Sequence, residues 1–187
     1  NGELQALSTK KNLGRFDKGF CSGNGFERVE YNQNSIAFGF LEDLEDFVKG
    51  SQKADLVICS ANIIFELNAQ QEVITRLQPI VRRLGCPLVV VNRCGAEGRF
   101  VFNGGSFVLQ ANGNLAEELP LFDAQTTIVE TQKLKNLQKN PLSKPEKLYR
   151  ASVLGIRDYY HKNNIKKAVI GLSGGIDSAL VVVLAVE

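Results

Sequence analysis

A turn rich in glycine and serine near the carboxyl end has the residue types most suited to chemistry. It comprises, in order, Gly171, Leu172, Ser173, Gly174, Gly175, Ile176, Asp177 and Ser178. Glycines let backbone N–H groups approach a phosphate, and a helix that starts directly after such a turn adds unpaired donors and a partial positive charge. Ser173 and Ser178 supply hydroxyl donors, and Asp177 can cap the helix or orient the loop. The pattern predicts a site for the phosphates of a nucleotide.

Two better-known phosphate motifs do not fit this turn. It lacks the Gly-Lys-Ser/Thr ending of the Walker P-loop and the GxGxxG spacing of dinucleotide sites. A simple strand–turn–helix connection built with glycine and serine is the plain alternative. The order Ser-Gly-Gly-x-Asp-Ser after an apolar run is more specific than that connection requires.

The elements that must position the turn follow from the apolar patterns along the chain. Short apolar runs at 35–40, 55–60, 87–92 and 167–171 predict buried strands. Helical spacing of apolar residues predicts helices at 41–49, 68–84, 146–162 and from 177 onward. In the helix at 146–162, the apolar side is predicted to carry Leu148, Val153, Ile156 and Tyr160.

A region of alternating aromatic residues follows the third predicted strand. Phe100 and Phe102 precede Asn103-Gly104-Gly105, and Phe107 and Leu109 follow it, which predicts a hairpin; Asn112-Gly113 marks a second turn. Strands that alternate with helices, followed by hairpins, predict an α/β layered domain closed by an antiparallel part.

The composition shifts between residues 132 and 147, where lysines and prolines are frequent and apolar residues are few. This stretch is interpreted as a solvated linker. The expected organisation is a first domain at 1–131, the linker at 132–147 and the start of a second domain at 148–187. The abrupt beginning and end suggest a piece of a longer polypeptide.

Bulk composition narrows the function classes. The 187 residues are 44% hydrophobic and 22% charged, with a net charge of +2, so nothing points to nucleic acid or a membrane as partner. The four cysteines are Cys21, Cys59, Cys86 and Cys94; their wide spacing and the single histidine argue against a zinc site or a disulfide framework. A cytoplasmic protein with reduced cysteines is expected.

Ser173–Ser178 resembles the PP-loop of the ATP-pyrophosphatases, which split ATP into AMP and pyrophosphate. The preceding Tyr149-Arg150-Ala151 and 153–159 resemble the entry to the synthetase domain of two-domain, glutamine-dependent NAD synthetases. Val91–Gly95 and Phe102–Phe107 resemble a segment of their nitrilase-like glutaminase domain. The resemblance implies a partial nitrilase-like α-β-β-α sandwich, followed by the start of a Rossmann-like PP-loop domain.

The resemblance also implies a reaction and its reactants. ATP adenylates the carboxylate of nicotinic acid adenine dinucleotide, and ammonia, supplied free or from glutamine, then displaces AMP. Mg²⁺ accompanies the pyrophosphate, and the family implies a homo-oligomer. Another PP-loop amide ligase, or a non-catalytic scaffold or assembly module with the nitrilase fold, remains as an alternative.

The glutaminase positions depart from the family pattern, in which glutamate, lysine and cysteine act together. By resemblance, Leu41 stands at the nucleophilic cysteine and Lys10 at a family lysine, and the base glutamate would precede Asn1. Lys11 beside Lys10 leaves the register open by one residue, and Cys59 is an alternative nucleophile. The remaining pocket positions are occupied by Phe16, Asn62 and Asn68, and Asn68 stands where the family has a lysine. Leucine offers no nucleophile, so lost glutamine hydrolysis is expected.

Overall fold

The computed structural model of the chain describes residues 8–14, 17–50, 53–137 and 141–186. Its strands are β1 (Glu27–Tyr31), β2 (Asn34–Phe40), β3 (Leu56–Ala61), β4 (Leu88–Asn92), β5 (Cys94–Glu97), β6 (Phe100–Asn103), β7 (Phe107–Leu109) and β8 (Leu115–Glu118). Its α-helices are α1 (Leu44–Lys49), α2 (Ala69–Leu84), α3 (Lys144–Lys162) and α4 (Ile176–Val186), and a 3-10 turn at Leu41–Asp43 precedes α1.

Six strands form one sheet in the order β1-β2-β3-β4-β7-β8. The central strands β2, β3 and β4 are parallel, whereas β1, β7 and β8 pair antiparallel with their neighbours. Phe40 pairs with Ser60, and Ala61 pairs with Asn92. The carboxyl ends of the three parallel strands therefore lie at one edge of the sheet, which is where α/β proteins commonly carry their sites.

The main hydrophobic core lies between this sheet and the helices α1 and α2. Alternate residues of β2, β3 and β4 face the helices, as the period of two in a strand requires. Gly39 of β2 leaves room for the ring of Phe26, because a Cβ at this position would lie 2.5 Å from that ring. The fully buried side chains include Phe107, Leu44, Leu77, Leu88, Leu109, Val57, Val81 and Val90.

A second, smaller cluster joins α3 to the two-stranded sheet of β5 and β6. It contains Phe122, Ala151 and Leu154, with Val101 and Cys94 among the half-buried neighbours. Helix α3 begins at Lys144, inside the stretch interpreted as a linker, because Ser143 caps it by accepting a hydrogen bond from the Glu146 N–H at 3.3 Å.

Most predicted elements are confirmed, with end shifts of one or two residues, but three details are wrong. Asn103–Gly105 does not close a hairpin, because β6 pairs with β5, whereas β7 pairs with β4 and β8. Residues 167–171 are not a strand, since this stretch lacks a ladder partner among the described residues and Val169 is fully exposed. On α3, Val153, Ile156 and Tyr160 share one half-buried side as predicted, but Leu148 is 50% exposed. The buried residues of this helix are Ala151 and Leu154.

The described residues contain no helix with the length and hydropathy needed to traverse a bilayer. The four cysteines are free thiols; Cys59 and Cys86 are buried, as their apolar surroundings predicted.

Candidate functional site

The turn at Ser173–Ser178 lies at the amino-terminal end of α4. Gly174 has φ +84°, a left-handed conformation that a residue with a side chain adopts only with strain, and open space surrounds the place where a Cβ would lie. Glycine at this position is therefore demanded by the backbone conformation and not by crowding. The residues from 171 to 177 are exposed, so a ligand can reach the turn.

The two serines of the turn converge on each other. Ser173 Oγ lies 3.0 Å from Ser178 Oγ, and Ser178 Oγ donates to the Gly175 carbonyl oxygen at 2.9 Å. Ser178 Oγ accepts from the Ser173 N–H at 3.3 Å, and Ser173 Oγ accepts from the Gly175 N–H at 3.4 Å. These two N–H contacts are longer than an ordinary hydrogen bond of about 2.9–3.0 Å. Two weakly engaged backbone donors thus lie together with two hydroxyls beside a helix amino terminus.

Carboxylates are scarce around this turn. Asp177 lies in the first turn of α4 and is the one acidic residue between 171 and 186. The described residues contain no cluster of three or more histidine, cysteine, aspartate or glutamate side chains that could hold a metal. Mg²⁺ at nucleotide sites commonly uses one or two carboxylates, phosphate oxygens and water. The donor set fits a Mg²⁺ that arrives with the phosphates, with Asp177 as one available ligand.

A second set of predicted site residues lies at the carboxyl edge of the parallel strands. Leu41 follows β2 directly and packs, half-buried, against the main core. It also lines a cavity of about 340 Å³ together with Asn12, Glu42, Arg76 and Leu77. A leucine in this place contributes packing and has no group that could attack a carbonyl carbon.

Lys10 contacts this edge through an acidic neighbour of Leu41. Its Nζ lies 2.9 Å from Asp17 Oδ2 and 3.1 Å from Glu42 Oε1. Burial lowers the pKa of the Lys10 ammonium, but the hydrogen bonds to Asp17 and Glu42 outweigh that effect, so the pKa lies above its ordinary value. The structure therefore brings Lys10 next to the Leu41 position as a charged and ion-paired side chain.

The other glutaminase positions are separated in the fold. Asn62 follows β3 at the same edge and is exposed, whereas Asn68 precedes the first turn of α2 and makes no side-chain capping bond to it. Phe16 lies outside the described residues. The structure thus joins Lys10 to the neighbour of Leu41 and places Asn62 at the same edge, while Asn68 belongs to the start of a helix.

Sequence reasoning missed Asp43, the best-buried carboxylate of this edge. Its side chain is 1% exposed, and its two oxygens accept from the backbone N–H groups of Lys11 at 2.9 Å and Asn12 at 2.6 Å. The only sequence signal was an acidic residue just after a buried strand, and that signal does not reveal a partner some thirty residues away. Asp43 ties the segment that carries Lys10 to the strand end.

Cys59 lies in the middle of β3 and is fully buried. Burial raises the pKa of its thiol far above the ordinary value, and the nearby Glu42 and Asp43 carboxylates raise it further. Because the thiolate is the nucleophilic form, this cysteine does not have the environment of an activated nucleophile.

A buried amide network holds the segment from Asn103 to Phe107 against this edge. Asn92 Oδ1 accepts from the Ile63 N–H at 2.9 Å, and Asn92 Nδ2 donates to the Gly104 carbonyl oxygen at 2.6 Å. Gln70 Nε2 donates to the Gly105 carbonyl oxygen at 2.6 Å, and Asn103 Nδ2 donates to Gln70 Oε1 at 2.8 Å. The amides thus support a turn whose only bridge pairing, among the described residues between β6 and β7, is that of Gly104 with Leu121.

Comparison with known proteins relates both the Ser173–Ser178 turn and the mixed sheet to one group of proteins, the NAD synthetases. Residues 148–187 match the family described as NAD synthase. A glutamine-dependent NAD(+) synthetase from Synechocystis is 31% identical over 195 residues, which covers 91% of this chain and 34% of that protein. The chain spans about a third of the length of this curated relative.

Solved structures agree with the sequence relatives. The glutamine-dependent NAD+ synthetase of Acinetobacter baumannii, solved in complex with adenosine diphosphate, superposes with a TM-score of 0.82 at 26% identity and covers 95% of this chain and 36% of its own. An amidase of the nitrilase superfamily from Nesterenkonia matches 60% of this chain and 44% of its own, with a TM-score of 0.51 at 22% identity. The second match concerns the fold alone, and it identifies the mixed α/β sheet as nitrilase-like.

Proposed function

Because this chain is a relative of the glutamine-dependent NAD(+) synthetases and corresponds to about a third of their length, we propose that the protein carrying it forms NAD(+). The reaction is the ATP-dependent amidation of nicotinic acid adenine dinucleotide, catalysed by a carbon–nitrogen ligase. The observation that carries the proposal is the turn at Ser173–Ser178, with a left-handed Gly174, two converging serines and the amino terminus of α4. The ADP bound to the Acinetobacter structure supports a nucleotide as its ligand.

The chemistry explains why such a turn is needed. A carboxylate is a poor electrophile, so a carboxylate oxygen of the dinucleotide first attacks the α-phosphorus of ATP. The bond from that phosphorus to the bridging oxygen breaks, pyrophosphate leaves, and a mixed anhydride with AMP forms. Ammonia then attacks the carbonyl carbon, loses a proton and expels AMP. The negative charge that develops on pyrophosphate is the charge that the turn must stabilise.

The turn suits that task through donors that are already in place. The N–H groups of Ser173 and Gly175 are held only by long contacts to the serine hydroxyls, so a phosphate oxygen can replace those contacts. Hydroxyl donors from Ser173 and Ser178 and the positive end of the α4 dipole act in the same direction. Mg²⁺, when bound, would neutralise further phosphate charge, and Asp177 is the carboxylate available to it.

We further propose that ammonia reaches this protein without glutamine hydrolysis by this chain. Leu41 occupies the nucleophile position, Asn68 occupies a lysine position, and the thiol of Cys59 is buried and protonated. Lys10 neutralises Asp17 and Glu42. The nitrilase-like part then remains as a scaffold, and the protein is expected to use free ammonia or ammonia from another subunit, in the cytoplasm and as a homo-oligomer.

Gly174→Val in the intact protein tests the nucleotide site. A β-branched residue at φ +84° stores about 1–3 kcal/mol of strain or distorts the turn, so kcat/KM for ATP is expected to fall roughly tenfold to a hundredfold. The measurement is pyrophosphate release that depends on nicotinic acid adenine dinucleotide. Gly85→Val is the matched control, since Gly85 also has a positive φ, +71°, and open surroundings but ends α2.

The expected control result is unchanged turnover per folded molecule. Equal activity of Gly174→Val and the wild type would remove the turn from the mechanism. Pyrophosphate release that requires a different carboxylic acid would indicate another amide ligase, and a protein that never cleaves ATP would fit the non-catalytic scaffold.

A further inference from the structure

Helix α3 binds both backbone polar groups, the N–H and the carbonyl oxygen, of one residue in the β5–β6 sheet. Asp158 Oδ2 accepts a hydrogen bond from the Ala96 N–H at 2.7 Å, and Lys162 Nζ donates to the Ala96 carbonyl oxygen. Asp158 and Lys162 are four residues apart, so they project from the same face of α3. Both peptide groups of Ala96 are thus bound by one helix face, as a neighbouring strand would bind them. We call Asp158, Lys162 and Ala96 the α3 clamp.

Two further features support the contacts of the α3 clamp: a glycine that makes room for Asp158 and an ion pair of Lys162. Gly95 has φ +126°, and a Cβ there would lie 2.8 Å from Asp158 Oδ2, so glycine is what lets the carboxylate approach the strand. Lys162 Nζ also forms an ion pair with Glu97 Oε2 at 2.8 Å, and Glu97 in turn pairs with Arg93. Lys162, followed by Arg93, holds the pKa of the Glu97 carboxyl below its usual value, as expected for an ion-paired carboxylate.

The opposite flank of α3 faces the helix that begins at the nucleotide turn. Val153, Ile156 and Tyr160 of α3 line a cavity of about 310 Å³ with Leu184 and Ala185 of α4. Helix α3 therefore lies between the β5–β6 sheet on one side and α4 on the other. These contacts lie near the carboxyl end of α4, and the Ser173–Ser178 turn lies at its amino end, so a shift of α3 would reach the turn along this helix.

We propose that the α3 clamp positions the nucleotide-binding turn, and that Asp158 and Lys162 are positioning residues for ATP binding. The inference rests on the proposed function and gives the nitrilase-like part a second role. The β5–β6 sheet, which follows the parallel strands of the degenerate glutaminase site, serves as the fixed platform of the synthetase site. Such a platform does not need Leu41 or any other group at the glutaminase positions.

The test separates positioning from simple loss of folded protein. If a loosened α3 leaves only a fraction of molecules with a competent turn, the apparent dissociation constant rises by the inverse of that fraction. Asp158→Ala and Lys162→Met in the intact protein are therefore expected to raise KM for ATP about tenfold, with kcat recovered at saturating ATP. A purely structural defect lowers the concentration of active protein, so it lowers kcat and leaves KM unchanged.

Two companion variants sharpen this test. Asp158→Asn keeps an oxygen that can accept from the Ala96 N–H, so it is expected to retain KM within about threefold of the wild type. Arg150→Met is the matched control, because it breaks an exposed Glu146–Arg150 pair of 2.7 Å that is internal to α3. That variant is expected to leave KM for ATP unchanged.

Binding of ADP by calorimetry provides a readout that does not require turnover. Weaker ADP binding in Asp158→Ala and Lys162→Met, with wild-type binding in Arg150→Met, is the expected result. Wild-type KM and ADP affinity in both clamp variants, or a fall in kcat alone, would overturn the positioning role. An inactive wild-type protein that binds ADP with an affinity that falls in the clamp variants would instead reject the proposed reaction, so the two failures are distinguishable.

Discussion

At the scale of single residues, Lys10 shows how a predicted site residue changes meaning once its neighbours are known. The sequence placed it by resemblance at a glutaminase position, but its amine is shared between Asp17 and Glu42. Asp17 Oδ2 also accepts from the Gly14 N–H at 2.7 Å. Neither carboxylate partner follows from local periodicity, because Lys10 and Asp17 are seven residues apart and lie outside any helix or strand, and Glu42 is 32 residues away. The type of residue was predictable, whereas its engagement required the fold.

The ion pairs of Lys10 predict a pH-dependent stability. The hydrogen bond from Lys10, and then that from Gly14, hold the pKa of the Asp17 carboxyl below its usual range. Such a group stabilises the fold above its unfolded pKa, about 3.9, and this contribution is lost as the pH falls through the lower folded pKa. The difference in free energy of unfolding between the wild type and Lys10→Met is therefore expected to be largest near neutral pH and to vanish in acid.

Urea denaturation at a series of pH values from about 6 to about 2.5 measures this difference. Lys166→Met is the control, since it removes an exposed lysine elsewhere in the chain. A difference for Lys10→Met that stays constant with pH, or that grows in acid, would contradict the ion-pair assignment.

At the scale of elements, the predictable parts are those whose signal lies within one segment. Strand β3 is a continuous apolar run and α2 repeats apolar residues at helical spacing, so both are found in the sequence. The β5–β6 pair is not, because Phe102 and Phe107 lie on the two sides of the same glycine turn and both are buried, yet they enter different sheets. Strand pairing across a glycine turn depends on contacts that no short window contains.

The prediction of a strand at 167–171 was wrong for a related reason. The composition of this stretch is that of a strand, but a strand is stable only when a neighbour pairs with its backbone. Among the described residues that stretch has no such neighbour, and Val169 is fully exposed.

Asn92, at the end of β4, gives a test of how the loops at the sheet edge are held. Asn92→Leu would leave the Ile63 N–H and the Gly104 carbonyl oxygen without their partner in a buried place. Each lost partner costs about 1–3 kcal/mol, so the free energy of unfolding is expected to fall by about 2–5 kcal/mol. Thermal or urea unfolding measures the change. Asn34→Leu, at an exposed position of β2, should stay within about 0.5 kcal/mol of the wild type, and equal effects would contradict the role of the Asn92 amide.

At the scale of the whole molecule, helix α3 lies between the part that carries Leu41 and the helix that carries the Ser173–Ser178 turn. On the proposed function, the turn at Ser173–Ser178 has donors that suit a phosphate, whereas Leu41, which stands by resemblance at the nucleophile position, packs against the main core. If the nitrilase-like part orients α3, the protein needs that part for nucleotide binding even when the glutaminase positions have no catalytic role. The α3 clamp is the physical link through which this need would act.

The degenerate glutaminase positions, beside an intact nucleotide-binding turn, predict which compound supplies the amide nitrogen. The intact protein is expected to form NAD(+) from nicotinic acid adenine dinucleotide, ATP and ammonium, but to release no glutamate from glutamine. Leu41→Cys alone is not expected to restore glutamine use, because Asn68 still stands at a lysine position and Lys10 remains paired with Asp17 and Glu42. The Synechocystis relative, named as glutamine-dependent, is the positive control for the assay. If the wild type formed NAD(+) from glutamine at the rate seen with ammonium, a nucleophile other than residue 41 would have to act in this fold. If Leu41→Cys alone gained glutamine-dependent NAD(+) formation, the rest of the glutaminase pocket would have been kept intact.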